Sequence, residues 1–298
     1  MILSHHPEGA GHPYAASADQ RVPVQPVAGE PLWLGVETSP DVEAVWCELE
    51  ADGEVQRIPL RRKADEQLAA DAAVAAGGEG HLAEAQAAAS AAGGVAWEAT
   101  LDTPGTRCRY RFAGQAGHHV AATEWFEFQP AEWIDAADCP QGELAITQQG
   151  NPIPVTDVAW LAGAGRIHRV RFALPLADAE HVVGFGERYD AVDQRGLAPD
   201  SVVFEQYKSQ GRHHRTYLPM PFAHVVGGEG WGFHVRTSRR VWFDIAAAHP
   251  GKLAVEAEAG PDGRLNLDIF AGDPVAVLAA FLDRAGRAEP LPEWVHRL

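Results

Sequence analysis

The feature that most constrains the fold is an alternation of apolar and polar residues with a period of two. It is clearest at residues 107–112, Arg-Cys-Arg-Tyr-Arg-Phe, where three arginines face one way and three apolar groups the other. Such alternation is typical of an antiparallel strand with one buried and one solvated face. It runs from Arg21 to Gln129 and resumes near Pro152, so the sequence predicts a mainly-β protein.

Breaks in this pattern divide the chain into two predicted β-sandwiches. Residues 21–130 are predicted to form an immunoglobulin-like sandwich, interrupted by an alanine-rich insertion at 64–94 that has few large apolar groups to bury. Residues 152–289 are predicted to form the second sandwich. Between them, the Pro-, Gly- and Asp-containing stretch 131–151 is interpreted as a linker. Residues 1–20, rich in Gly, His, Pro and Ala, are predicted to be a flexible N-terminus.

One helix is predicted, from Asp273 to Ala285. Asp273 can cap its first turn, Pro274 suits the first helical position, and Gly286 can end it. The residues predicted to share its apolar face are Leu278, Phe281, Leu282 and Ala285. A run of strands closed by one helix lacks the regular strand–helix alternation of a Rossmann or barrel fold.

Composition narrows the classes of partner and the compartment. The formal net charge is −17, which disfavours nucleic acid because its phosphates would be repelled. The sequence has no apolar run long enough to span a bilayer and no signal-peptide pattern, so no membrane association is expected. The three cysteines, Cys47, Cys108 and Cys139, form no C-x-x-C pair and indicate neither a disulfide framework nor a zinc site. We therefore expect a cytoplasmic setting.

The most unusual string is residues 184–196, G-F-G-E-R-Y-D-A-V-D-Q-R-G. A dinucleotide-binding loop is excluded because Tyr189 stands where the third glycine is required and no helix-forming stretch follows. Asp190 and Asp193 could be considered a catalytic carboxylate pair, but such a pair must flank the scissile bond from opposite sides. Two aspartates three residues apart on one loop are poorly suited to that. The charges instead predict a hydrogen-bonded network that pins the loop, with another domain as one candidate partner.

A second polar cluster follows at residues 204–217. Proteins bind sugars through aromatic faces and through planar amide, carboxylate and guanidinium groups that pair with hydroxyls. The candidate sugar-binding residues of these types are Glu205, Gln206, Tyr207 and Arg212. Composition alone leaves open the alternative of a long, hydrated hairpin.

A metal site is also disfavoured. The histidines that could be considered as ligands are His213, His214, His224 and His234. Adjacent histidines on a strand face opposite ways, and the sequence has no H-x-H or H-E-x-x-H pattern.

Taken in order, these strings resemble the N-terminal region of glycoside hydrolase family 31. The first string matches the family pattern at Gly184, Gly186, Glu187, Asp190, Gln194, Arg195 and Gly196. Further matches, in family order, are Tyr217 with Pro221-Phe222, Gly230-Trp231-Gly232-Phe233, the string 268–274 (D-I-F-A-G-D-P) and the string 290–294 (P-L-P-E-W). The resemblance covers about residues 166–298.

The resemblance implies a galactose-mutarotase-like sandwich, with residues 290–298 as the start of a catalytic barrel. It implies an α-glucosidase- or α-xylosidase-like enzyme that hydrolyses α-glycosides with retention, without a metal or organic cofactor. It also implies that Gln206 and Tyr207 lie at the sugar, and that the matched residues of 184–196 have a structural or interdomain role.

The residues that cleave the bond are not expected in this chain. The family's catalytic aspartates lie on the barrel, one of them in a W-x-D-M-N-E-like string. The two methionines, Met1 and Met220, lie in no such string. No catalytic residue is therefore predicted here, and the chain alone should not hydrolyse glycosides.

Two other functions remain open at this point. One is a free-standing carbohydrate-binding module. The other is an aldose-epimerase-like protein on the same type of sandwich, which would need a histidine and a carboxylate that converge on one face. No spacing in the sequence singles out such a pair.

Overall fold

The computed structural model describes residues 1–9, 17–63, 94–203, 214–290, 292 and 295. These residues form two compact units, and the strands β13 and β14 are divided between them. Among the described residues, the first unit comprises 1–9, 17–63, 94–141 and 159–170, and the second comprises 142–158, 171–203, 214–290, 292 and 295.

The first unit contains two five-stranded antiparallel sheets. Its first ten strands are β1 (Leu3–Ser4), β2 (Arg21–Val22), β3 (Pro31–Thr38), β4 (Ala44–Ala51), β5 (Glu54–Pro59), β6 (Arg61–Arg62), β7 (Val95–Asp102), β8 (Cys108–Ala116), β9 (His119–Ala122) and β10 (Phe126–Phe128). One sheet has the order β1-β3-β7-β6, with β2 also paired to β3. The other has the order β10-β8-β4-β5, with β9 also paired to β8.

An apolar core lies between these two sheets. On β8, Cys108, Tyr110 and Phe112 are buried, whereas Arg109 and Arg111 lie on the outer face. They pack with residues of β3, β4 and β7 such as Leu34 and Trp97. Each such side chain contributes roughly 1.5–3 kcal/mol through removal of its surface from water. The alternation at residues 107–112 thus fixes which face of the strand is buried, and the predicted β-sandwich fold is confirmed.

The remaining elements follow in chain order. They are β11 (Glu132–Asp135), a 3-10 turn (Ala136–Asp138), β12 (Glu143–Gln149), β13 (Thr156–Gly163), β14 (Arg166–Pro175), β15 (His181–Gly186), β16 (Asp200–Ser201), β17 (Pro219–Val226), β18 (Trp231–Arg236), β19 (Val241–Ile245), β20 (Lys252–Glu258), β21 (Arg264–Ala271) and helix α1 (Pro274–Ala285). In the second unit, one sheet has the order β12-β21-β18-β17-β15, and the order β14-β20-β19-β16 forms the facing layer. β12 pairs with β21 in parallel. The pairs β15–β17, β16–β19, β17–β18, β18–β21 and β19–β20 are antiparallel.

Aromatic side chains join the two layers of the second unit. Phe185 of β15 is 1% exposed, and its ring centroid lies 4.6 Å from that of Phe243 and 6.1 Å from that of Phe233. On the outer side of the same sheet, Phe222 stacks on Phe281 of α1 with centroids 4.1 Å apart. The sheet therefore has apolar contacts on both faces.

Helix α1 begins and ends as predicted. Asp273 accepts hydrogen bonds from the backbone N–H groups of Val275 and Ala276, at 3.0 and 2.9 Å, and Gly286 follows the last turn. Its buried face differs from the prediction: Val277 and Phe281 are buried, whereas Leu278 is 44% exposed. The stacking of Phe281 on the sheet fixes this rotation. Within the described residues, no helix is long and apolar enough to cross a membrane.

Two predicted boundaries differ from the structure. Within residues 1–20, Leu3–Ser4 pairs with β3 and His5 is buried, so this part is not a flexible N-terminus. Within the predicted linker 131–151, β11 pairs with β13 and β12 pairs in parallel with β21. In both cases the partner strand is distant in sequence, so local patterning carries little signal. The insertion predicted at 64–94 lies outside the described residues except for Gly94.

Candidate functional site

The two glycines at the end of β15 are required by close packing. Residues 184–186 all have positive φ angles, 147°, 66° and 86°. A Cβ atom at Gly186 would lie 1.9 Å from the carbonyl oxygen of Leu218, and one at Gly184 would lie 2.6 Å from that of Phe222. Between them, Phe185 inserts its ring into the core. The motif glycines therefore let β15 bend against β17.

Asp190 is the centre of a buried hydrogen-bond network. Its carboxylate accepts from Arg188 Nη2 at 2.6 Å, from His214 Nδ1 at 3.0 Å and from Gln194 Nε2 at 3.1 Å. The side chains of Asp190 and Arg188 are only 7% and 6% exposed. Burial raises the pKa of Asp190, but the hydrogen bonds from Arg188 and His214 outweigh it and hold the pKa well below its usual range. Asp190 is thus an ionised structural anchor.

Asp193 has a different set of partners. It accepts from the backbone N–H groups of Val182 and Arg195, at 3.2 and 3.0 Å, and from His181 at 2.6 Å. The Arg195 guanidinium in turn donates to the carbonyl oxygens of Ala177 and Glu180. Asp190 and Asp193 therefore each stabilise the loop through separate contacts, which argues against their acting as a catalytic pair.

The remaining motif residues also make contacts within the second unit. Gln194 is fully buried, and its backbone N–H donates to the carbonyl oxygen of Val182 at 2.8 Å. Gly196 has a φ of 82°, and its backbone N–H donates to the carbonyl oxygen of Ile245 at 2.7 Å. Glu187 is exposed, with its carbonyl oxygen accepting from the hydroxyl of Thr216. A cavity of about 440 Å³ lies beside this loop, lined by Val183, Gly184, Gly186, Arg188, Tyr189, Asp190, Ala191 and Val192.

A second network holds the residues that flank segment 204–213. Asp200 accepts from Arg215 Nε at 2.7 Å and from Arg240 Nε and Nη2 at 2.8 and 2.5 Å. The backbone N–H of Asp200 donates to the carbonyl oxygen of His214 at 2.9 Å. Val203 and Thr216 form an isolated parallel β-bridge. The residues on either side of segment 204–213 therefore lie next to each other.

The two networks meet at His214. Its side chain contacts Asp190, and its carbonyl oxygen accepts from Arg188 Nη1 at 2.9 Å as well as from Asp200. The 184–196 loop and both ends of segment 204–213 are therefore held together by buried charges. The candidate sugar-binding residues Glu205, Gln206, Tyr207 and Arg212 all lie in that segment, outside the described residues.

Sequence reasoning identified the charged loop but missed its partners. Asp200, His214 and Arg240 are close in space only because β16 pairs with β19 and because β17 follows His214. Nothing in the sequence next to Asp200 or Arg240 indicates that these residues lie close together. Among the described residues, no group of three or more His, Cys, Asp or Glu side chains is arranged to hold a metal ion.

Comparison with known proteins assigns both units. Residues 9–114 match the 1,3-alpha-isomaltosidase-like N-terminal domain, and residues 140–244 match the glycosyl hydrolase 31 N-terminal galactose mutarotase-like domain. The 1,3-alpha-isomaltosidase of Kribbella flavida is 51% identical over the whole chain. The isomaltosyltransferase of Sporosarcina globispora is 29% identical over 53% of the chain.

Solved structures agree with this assignment. The cycloalternan-degrading enzyme of Trueperella pyogenes, in complex with cycloalternan, superposes over 99% of the chain with a TM-score of 0.83 and 41% identity. The chain spans 39% of the Kribbella enzyme and 40% of the Trueperella enzyme. The chain therefore belongs to glycoside hydrolase family 31, and it corresponds to the N-terminal part of that family's enzymes, with a galactose mutarotase-like domain over residues 140–244.

Proposed function

We propose that this chain is the substrate-shaping N-terminal part of a retaining α-glycoside hydrolase, in which segment 204–213 contacts the sugar. The observation that carries the proposal is the double anchoring of that segment. Asp200 and His214 fix its two ends, and both are tied by hydrogen bonds to buried charges. A recognition loop whose ends are fixed loses less conformational freedom when it binds. The residues proposed to contact the sugar are Glu205, Gln206, Tyr207 and Arg212.

The proposed substrate is an α-glucan oligosaccharide that contains isomaltosyl units joined by 1,3 linkages. Support comes from the 51% identity with the Kribbella 1,3-alpha-isomaltosidase and the 41% identity with the cycloalternan-degrading enzyme. Both likenesses cover nearly the whole chain, including the segment 204–213.

The loop 184–196 is proposed to serve as a rigid support for a catalytic barrel. Its polar groups are engaged within the second unit through Asp190, Asp193 and Arg195, whereas Tyr189 and Val192 are 54% and 79% exposed. Exposed apolar groups on a rigid loop suit contact with another domain.

The epimerase-like alternative meets an obstacle at the most suggestive histidine–carboxylate pair. His234 and Asp268 lie directly opposite each other on β18 and β21. However, Phe281 of α1 packs against the His234 ring with centroids 5.1 Å apart, and Asp268 is 1% exposed. A sugar cannot reach this pair while α1 covers it.

The direct test is a chimera. This chain would replace the matching N-terminal part of the Kribbella enzyme, and kcat/KM would be measured on a 1,3-linked isomaltosyl oligosaccharide. We expect an active chimera in which Gln206→Ala or Tyr207→Ala lowers kcat/KM by roughly 10–100-fold, as for loss of a contact made to substrate. Val120→Ala, at a site 61% exposed in the first unit, is the matched control. Unchanged kcat/KM in both segment variants would overturn the proposal.

The isolated chain separates this proposal from a free-standing binding module. One segment offers few contacts, so titration calorimetry with isomaltose should give a Kd no tighter than about 1 mM. Micromolar binding that Tyr207→Ala abolishes would favour the module instead.

A further inference from the structure

The outer face of the first unit carries a small cavity that no function described above uses. It lies where the β4–β5 turn meets the start of β8 and the strand β10, and its volume is about 190 Å³. The lining residues are Glu50, Ala51, Asp52, Gly53, Arg107, Cys108, Arg109 and Glu127. We refer to this site as the hairpin cavity.

The polar groups of the hairpin cavity pair with one another across neighbouring strands. Arg109 donates from Nε and Nη2 to one oxygen of Glu50, at 3.0 and 2.8 Å, and its guanidinium carbon lies 4.7 Å from the ring centroid of Trp125. Arg107 donates to Glu127 at 2.5 Å. A guanidinium has five N–H donors, so each arginine keeps donors beyond those used in these pairs.

The backbone around the cavity is also constrained. Asp52 and Gly53 have φ angles of 52° and 80°, as in the tight two-residue turn that joins twisted antiparallel strands. Burial raises the pKa of the Cys108 thiol to about 11, and the nearby charge of Asp52 adds to this effect. The β4–β5 turn and the start of β8 therefore line the cavity together.

The chemistry of this lining disfavours anions and suits a ligand rich in hydroxyl groups. Three carboxylates and two guanidiniums surround the space, so a phosphate or another anion would meet net repulsion. Planar carboxylate and guanidinium groups pair well with neighbouring hydroxyls. The volume lies below the range of about 300–1,000 Å³ that suits a drug-sized ligand, so it can take only one small ring.

We propose that the hairpin cavity is an ancillary carbohydrate site that binds one hexose ring of a neutral oligosaccharide. The site lies wholly in the first unit and contains no residue of segment 204–213. It would hold a glucan chain at a second point, which raises the local concentration of substrate units. This proposal does not depend on the sugar contact proposed for Gln206 and Tyr207.

The test is a titration of the full chain with isomaltose, followed by nuclear magnetic resonance of its backbone amides. We expect saturable shifts at residues 50–53 and 107–109, with a Kd in the range of about 1–10 mM. The double variant Arg107→Gln/Glu127→Gln should weaken this Kd at least about tenfold, since it removes two charged partners of the ring. Both side chains are exposed, 73% and 52%, so the fold should be retained.

Three comparisons make the result decisive. The variant Arg287→Gln removes a similarly exposed ion pair, with Asp283, and should leave the shifts unchanged. Tyr207→Ala should also leave them unchanged, which separates this site from the segment 204–213. Shifts that rise linearly without saturation, that glycerol reproduces, or that persist in the double variant would overturn the proposal.

Discussion

In the first unit, the arginines of β8 pair with glutamates of β4 on an open sheet face, whereas in the second unit Arg188 and Asp190 pair inside the protein. Arg109 and Glu50 are 47% and 28% exposed, compared with 6% and 7% for Arg188 and Asp190. Solvent screens the attraction between Arg109 and Glu50. Arg188 and Asp190 are removed from solvent, so the loss of either partner would leave a buried charge unpaired. An arginine–carboxylate pair therefore lies on a solvated sheet face in one unit and anchors a buried loop in the other.

The comparison predicts the largest loss of stability for Arg188→Ala. The substitution leaves the buried Asp190 without its principal cation, which typically costs about 3–5 kcal/mol. Hydrogen exchange of the β15 and β17 amides measures the free energy of unfolding of the second unit. The double variant Arg188→Ala/Asp190→Asn should recover part of the loss, because no buried charge is then left unpaired. A loss below about 1 kcal/mol in the single variant would contradict the distinction between the two units.

A buried histidine gives the first unit its own sensitivity to acid. Burial lowers the pKa of His5 from 6.5 to about 4, although its hydrogen bond to the carbonyl oxygen of Gly35 opposes the shift. The unfolded chain therefore binds a proton that the folded chain does not. Stability should fall as the pH drops from about 6.5 towards 4, by roughly 3 kcal/mol in total.

Hydrogen exchange of the β3 and β8 amides at several pH values measures this effect. The conservative variant His5→Gln should be less stable at pH 7 but should lose much less stability on acidification. An equal slope in the variant and the parent chain would mean that another group titrates.

Arg195→Ala should have an intermediate effect. Arg195 donates to the carbonyl oxygens of Ala177 and Glu180, at 2.9 and 2.8 Å, and its side chain is 21% exposed. Loss of these donors should cost about 1–3 kcal/mol, since two partly buried carbonyl groups lose a partner. The melting temperature of the second unit measures the loss, with Arg287→Ala as an exposed control. Unchanged melting would argue against a loop pinned by its own charges.

The two units also differ in how far their sequences predict them. At residues 107–112 the alternation alone predicts the buried face of β8, because strand sides depend only on neighbouring positions. The partners of Asp190 and Asp200 depend instead on strand pairing over long sequence distances, as between β16 and β19. Local patterning cannot report such pairing, and for the same reason β11 and β12 resembled a linker. The family resemblance predicted the galactose-mutarotase-like domain, but it did not predict these partners.

Shortening the insertion predicted at residues 64–94 should change stability only slightly. β6 and β7, which flank it, pair in antiparallel register through Arg61 with Glu98 and Arg62 with Trp97. A linker of about six Gly/Ser residues can join such neighbours, and the smaller number of residues between the two strands should stabilise the first unit by about 1 kcal/mol. Thermal unfolding measures the change. Loss of the folded first unit would show that the segment contributes to its core.

The smallest effect should come from Arg109→Ala, the counterpart of Arg188→Ala on the exposed sheet. Arg109 uses two donors on Glu50, but both side chains remain in contact with solvent, so the pair is screened. Exposed ion pairs typically contribute about 0–1 kcal/mol. Because the arginine also packs on Trp125, the guanidinium and its stem add some apolar contact. The free energy of unfolding of the first unit should thus fall by about 1 kcal/mol or less, and less still in high salt. A loss as large as that of Arg188→Ala would mean that the exposed ion pairs between β4 and β8 stabilise the first unit as strongly as the buried pair stabilises the second.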